Sequence, residues 1–389
     1  MKRREFLAAA AATSIGWLPD TAPARSRVAA STSAGAPRSH DYDNLLILVE
    51  LKGGNDGLNT VVPFADPLYY GYRPRIAVRR DAAIALDERT ALHPSLAPLL
   101  PLWRERQLAI VQGVGYAPPN LSHFRSNEIW DTASRADQYL HDGWLTRAFA
   151  RRPVPAQFAA DGVMLGSPEH GPFADGTRTI ALANPALPVE AIERNPSLAQ
   201  RSGIDPDIVP VTDRMASHVD RSPLKTAFPP DPFGTSIKTA MAWLAAQRAA
   251  AIRVTLNGFD THQNQPDRHA ALLAQFAGGM IALHDALVEL GLWDRTLIVT
   301  VAEFGRSARE NANLGTDHGT AAPHFVAGGR VRGGLYGDAP QLARIDGNGN
   351  LPVGVDFRQV YATVLGPWWG IDPRAVLQQR FEPLPLLRV

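Results

Sequence analysis

Short clusters of carboxylates, imidazoles and hydroxyls recur along this chain, each close to glycine or asparagine. Gly53-Gly54-Asn55-Asp56-Gly57 is the first, and Asn120-Leu121-Ser122-His123-Phe124 the second. Asn257-Gly258-Phe259-Asp260-Thr261-His262, Glu303-Phe304-Gly305-Arg306-Ser307 and Gly315-Thr316-Asp317-His318-Gly319 follow. Asp, Glu and His are the ligands that suit zinc, manganese, magnesium or calcium. A serine opening a helix beside such an ion is a candidate nucleophile, because the ion lowers the hydroxyl pKa and the helix N–H groups stabilise an anion. Each cluster also has a plain structural reading. Gly53 to Gly57 are turn residues. Ser122 is a good helix N-cap, and Asp260 to His262 suit an Asx turn. Asp317-His318 fits a loop, and His123 and His324 read mainly as structural. Glu303 is harder to dismiss, since a carboxylate after a buried apolar run needs a partner.

What must position these residues is a set of apolar runs. Asn44 to Leu51, Leu108 to Val114, Ile252 to Leu256 and Thr296 to Ala302 are short and continuous, as in strands buried on both faces. Leu92 to Arg106 reads as helical, with Pro94 tolerated in its first turn. Leu272, Phe276, Met280, Leu283, Leu287 and Leu290 recur at steps of three and four, marking the apolar face of a long helix that Gly291 ends. Residues 235–250, with Trp243 and an alanine run, read as a packing helix. Alternating strands and helices predict an α/β fold with a mostly parallel central sheet and helices on both faces. Ligands bind beyond the carboxyl ends of such strands, and four of the clusters follow a strand there. The Pro-rich stretch 150–235 is expected to be an insertion or cap over one end of the sheet.

The N-terminus reads as an export signal. Met1-Lys2-Arg3-Arg4-Glu5-Phe6-Leu7 has the paired arginine of twin-arginine leaders, followed by an apolar stretch to Leu18 and the A-x-A form at Ala22-Pro23-Ala24. The expected division is a signal peptide at 1–24, a flexible linker at 25–40 and one domain from 41 to 389. The twin-arginine translocase is then a partner, and the location is periplasmic or secreted. The chain has no cysteine, so stability must come from core burial rather than disulfides. Its net charge of +1 gives no nucleic-acid or polybasic membrane footprint. No stretch after the leader reads as a membrane span.

Together, GGNDGLNTVVP, SHFRSNEIWDT, GFDTHQNQ, VAEFGRS and GTDHGTA followed by FVAGGRVRGG resemble the twin-arginine-exported family called domain of unknown function 1501. The resemblance runs from about Leu45 to Leu365. It implies the alkaline phosphatase-like three-layer sandwich of a superfamily of metal-dependent hydrolases that includes the sulfatases. Carried over by position, it implies Asp56, Asp260, His262, Glu303 and His318 as ligands of one or two divalent ions, with Asp317 as a substitute ligand. Ser122 takes the nucleophile's place, with Arg125 or Arg306 neutralising the transferred group. Phe304 departs from the pattern, because it stands where a second ligand is usual. The missing cysteine and the absence of a maturation motif around Ser122 argue against a formylglycine sulfatase.

Two functions follow as expectations. One is an exported metal-dependent hydrolase of phosphate or sulfate esters, acting on a small-molecule ester. The other is a non-catalytic periplasmic binding or assembly protein on the same fold, which the lost ligand at Phe304 would suit.

Overall fold

The computed structural model describes residues 42–176, 178–182 and 224–388. The expected signal peptide and linker lie outside the described residues. The sheet strands are Leu45–Lys52 (β1), Leu108–Gly115 (β2), Ala160–Leu165 (β3), Thr179–Ala181 (β4), Ala249–Asn257 (β5), Thr296–Val301 (β6), Ala322–Ala327 (β7), Gly334–Tyr336 (β8) and Val355–Asp356 (β9). Their order is β8-β2-β7-β6-β1-β5-β3-β4, with β9 also paired to β2. Every pairing is parallel except those of β7, which runs antiparallel to β2 and to β6.

The principal helices are His123–Thr132 (α1), Trp144–Arg151 (α2), Pro232–Ala246 (α3), Gln265–Glu289 (α4) and Phe357–Thr363 (α5). They explain why β1 is apolar without alternation. Leu45, Ile47, Val49 and Leu51 pack with Phe233 and Ile237 of α3 and Phe276 and Met280 of α4. Leu46 and Leu48 face the opposite way, into a cluster with Ile129 of α1, Leu145 of α2 and Val360 of α5. Both faces of the sheet are therefore covered, as a buried parallel sheet requires, and the expected three layers are present.

Several elements differ from expectation. Pro94–Leu99 is a 3-10 turn leading into a short α-helix, Leu100–Arg104. Pro98 and Pro101 remove backbone donors that one continuous α-helix would need. The helix expected over 235–250 ends at Ala246, and β5 already begins at Ala249. Of the cap expected over 150–235, residues 160–165 and 179–181 extend the sheet as β3 and β4, while residues 183–223 lie outside the described residues.

Helix α4 is long and apolar enough, by length and composition, to cross a membrane. Half of its most apolar window is buried within the protein, where Leu273, Phe276, Met280, Leu283 and Leu287 join the core. Gly291, at a φ of +67°, lies just past its end.

The topology gathers the polar clusters. In the parallel trio, Lys52 pairs with Asn257 and Glu50 with Val301, so β1, β5 and β6 end at one edge. The single antiparallel strand begins where they end. The loop before β7, carrying Asp317 and His318, is thereby brought to that same edge. Strand β2 also ends there and leads into α1.

Candidate metal centre

Three side chains converge at this edge. One ligand atom from each of His123, Asp260 and His318 lies within 4.8 Å of the others. His123 opens α1, Asp260 follows β5, and His318 precedes β7. His123 Nε2 is 3.4 Å from Asp260 Oδ2, and His318 Nε2 is 3.2 Å from Asp260 Oδ1. His262 adds a third imidazole, its Nε2 lying 3.1 Å from Asp260 Oδ1 and 3.0 Å from His318 Nε2.

The far side of each ring decides what the near side can do. The Leu121 carbonyl can only accept, so His318 Nδ1 donates to it, at 2.7 Å. The neutral ring then presents a lone pair at Nε2. His123 Nδ1 donates to Glu303 Oε1 at 2.8 Å, which likewise leaves Nε2 as the lone pair of the neutral ring. Outer partners that fix the tautomer in this way are the usual support of metal-binding histidines. Two nitrogen lone pairs and a carboxylate facing one another repel unless a cation lies between them. The donor set fits a divalent ion of the zinc type, with three protein ligands and a position left open.

Electrostatics favour the charged carboxylate. Partial burial pushes the Asp260 carboxyl up, but the Arg306 guanidinium at 2.5 Å outweighs it, and His318 and His262 act in the same direction. The group is held down at about 2. The hydrogen bond that His123 donates to Glu303, acting against burial, raises the His123 pKa, whereas burial is the main cause of a lowered one at His318.

Glycines permit the close approach of these loops. Gly53 has a φ of +115°, and a Cβ placed there would lie 2.4 Å from the Asp260 backbone nitrogen. Its own N–H donates to Glu303 Oε1 at 2.9 Å.

Four expectations change. Glu303 does not reach the centre as a ligand. Its side chain is fully buried, and Oε1 is taken by Gly53 and His123. Asp56 is not brought to the group either. It is fully buried, and Arg73 Nη1 donates to both its oxygens, at 2.9 and 2.7 Å, with Gln265 as a further donor. Burial works against that carboxylate, yet Arg73 and, less strongly, His269 hold its pKa below the ordinary value.

Arg306 is fully buried and spends its donors on the carbonyls of Gly53, Gly54, Phe259 and Thr316 and on Asp260, so it orients Asp260 and presents no free guanidinium. Arg125 is buried too. It holds the carbonyls of Arg135, Ala136 and Gln138 and pairs with Glu128 at 2.8 Å. Phe304 packs against two of the imidazoles, its ring 4.9 Å from that of His123 and 4.4 Å from that of His318.

The structure brings Asp260, His262 and His318 close together. Asp317 is largely exposed and lies behind His262, its Oδ1 3.4 Å from His262 Nδ1. Ser122 is the N-cap of α1, is exposed, and makes no side-chain capping bond. Its neighbours on either side both serve the centre, Leu121 through its carbonyl and His123 through its ring.

His123, which the sequence suggests is mainly structural, is brought into the group. A signal for it existed, since a side chain next to a helix-opening serine must come to the same edge. His324 is buried, with Nδ1 2.9 Å from the Thr300 carbonyl.

Several solved structures are similar in outline. A protein in the alkaline phosphatase superfamily from Vibrio parahaemolyticus matches 87% of this chain and 70% of its own, at 11% identity and a TM-score of 0.41. The lipoteichoic acid synthase LtaP from Listeria monocytogenes matches 85% and 74%, at 10% identity and a TM-score of 0.39. The C-terminal periplasmic domain of EcEptC from Escherichia coli, a complex with Zn, matches 73% and 72%, at 12% identity and a TM-score of 0.37. No curated protein matches the sequence. The family model for a protein of unknown function, DUF1501, matches residues 109–381, and the chain belongs to that family.

Proposed function

We propose that this protein is an exported, metal-dependent hydrolase of phosphate or sulfate esters, with the ion held by His123, Asp260 and His318 and bordered by His262. The observation that carries this reading is the convergence of two lone-pair imidazole nitrogens on a carboxylate whose pKa lies near 2. A divalent ion there would polarise the ester and lower the pKa of a nearby hydroxyl. Zinc suits the nitrogen-rich donor set better than magnesium or calcium, which prefer all-oxygen shells.

Ser122 provides the attacking oxygen. It opens a ten-residue helix with no side chain capping its first turn, so the N–H groups there are open to an anion. Arg306 holds Asp260 in its ionised form, and Glu303 and Leu121 hold the two imidazoles in register. The twin-arginine pattern at Arg3-Arg4 supports export, with the translocase as a transient partner.

One observation favours the non-catalytic reading instead. Neither Arg125 nor Arg306 is free to neutralise a transferred group, so the ion and the α1 amides must do so alone. Elemental analysis of the exported chain, joined to a panel of phosphate and sulfate esters, separates the two. Bound metal with turnover that disappears in Ser122→Ala supports the hydrolase. Bound metal with no turnover of any ester supports the binding protein.

A further inference from the structure

Among the described residues, the most exposed large apolar side chains are Phe124, at 91%, and Tyr139, at 70%. Single exposed apolar residues are ordinary on protein surfaces. These two are not independent of each other. Phe124 lies in the first turn of α1, directly after the ligand His123. Tyr139 lies in the segment between α1 and α2, and Arg125 ties it to that same turn.

The Arg125 guanidinium stacks over the Tyr139 ring, 4.0 Å from its centroid. It also donates to the carbonyls of Arg135, Ala136 and Gln138. A buried cation thus anchors the back of one exposed aromatic ring, next to the residue that presents the other. Both rings are exposed, and both are tied to the first turn of α1, the turn that also carries His123 and follows Ser122.

We propose that Phe124 and Tyr139 form a stacking platform for the non-reacting part of the substrate, which selects esters whose carbon skeleton has a flat apolar face. An aryl ring and the C–H face of a pyranose share that chemistry. The proposal rests on the hydrolase reading for the position of the ester group. The ester is held at the ion and Ser122, and the remainder of the molecule extends across the first turn of α1. Aromatic rings recognise such faces by offset or edge-on contact, with no charge needed on the substrate.

The test compares the metal-loaded full chain with Phe124→Ala and Tyr139→Ala. Both side chains are exposed, so neither change empties the core. kcat and KM are measured for phenyl phosphate, glucose 1-phosphate and methyl phosphate. Binding of phenylphosphonate and methylphosphonate, which are not esters, is measured by calorimetry.

The expected result is a KM preference for the phenyl or glucosyl ester over the methyl ester. That preference should fall by about three- to tenfold in Phe124→Ala, with the change in KM rather than kcat. Loss for phenyl alone identifies an aryl-selective platform, and loss for glucosyl alone a sugar-selective one. Equal effects on all three esters, or an unchanged preference, overturns the proposal. If no ester is turned over but phenylphosphonate outbinds methylphosphonate through Phe124, the platform stands and the hydrolase reading falls.

Discussion

Glu303 and His123 lie 180 residues apart in the chain, and Glu303 Oε1 accepts a hydrogen bond from His123 Nδ1 at 2.8 Å. The same oxygen receives the Gly53 N–H at 2.9 Å. One carboxylate at the end of β6 therefore couples the loop after β1 to the first residue of α1. It does this without reaching the ion-binding position itself.

Glu303→Gln removes the charge behind His123 and keeps the shape. Loss of an outer partner of this kind typically costs about 10–100-fold in metal affinity. We expect a drop of that size in chelator-competition titrations, with the metal still bound at saturation. His123→Ala, Asp260→Ala and His318→Ala should each abolish stoichiometric binding by elemental analysis. Affinity unchanged in Glu303→Gln would mean that His123 is not a ligand.

Ser122→Ala should retain its metal and lose hydrolysis by more than about a thousandfold, the scale seen when a nucleophile that acts as part of a unit is removed. Single-turnover assays on the metal-loaded variant are the check. Residual turnover within tenfold of the parent would give the attack to another group, such as a water molecule.

The Asp56–Arg73 pair makes a different kind of statement, because both side chains are fully buried. Arg73→Ala leaves an uncompensated buried carboxylate and should destabilise the fold by roughly 3–5 kcal/mol in denaturant titrations. The folded Asp56 pKa lies below its ordinary value. Its contribution is therefore present above that ordinary value and is lost as the pH falls through the lower folded pKa. Asp56→Asn should flatten the fall in stability at acid pH, below about pH 4. An unchanged acid limb would show that other carboxylates govern it.

Two glycine substitutions should act in opposite directions. Gly53→Ala meets the Asp260 backbone and requires a positive φ, so it should lower stability by more than about 1 kcal/mol and weaken metal binding. Gly71, within the short helix Pro67–Tyr72, has open space around its Cβ position. Gly71→Ala should stabilise by up to about 1 kcal/mol and leave metal content unaltered. Thermal melts with and without chelator distinguish the two.

Much of this arrangement is legible in the sequence alone. Four apolar runs without alternation identified strands covered on both sides, and a three-four repeat marked the long helix α4. Glycine-bounded polar clusters, four of them after those strands, indicated one functional edge and drew attention to Asp260, His262, His318 and Ser122. Such features depend on neighbours in the chain, and local pattern is sufficient to reveal them.

Tertiary structure alone decided which carboxylate faces the imidazoles. Asp56 and Asp260 both follow a strand and a glycine. Arg73 closes around the first, whereas Arg306 leaves the second open to three imidazoles. Glu303 and His123 exchanged their expected standing for a similar reason: the role of a side chain at this edge depends on which distant partner takes its other polar atom. A single antiparallel strand, β7, placed His318 within reach, and its direction is a property of the assembled sheet rather than of its own six residues.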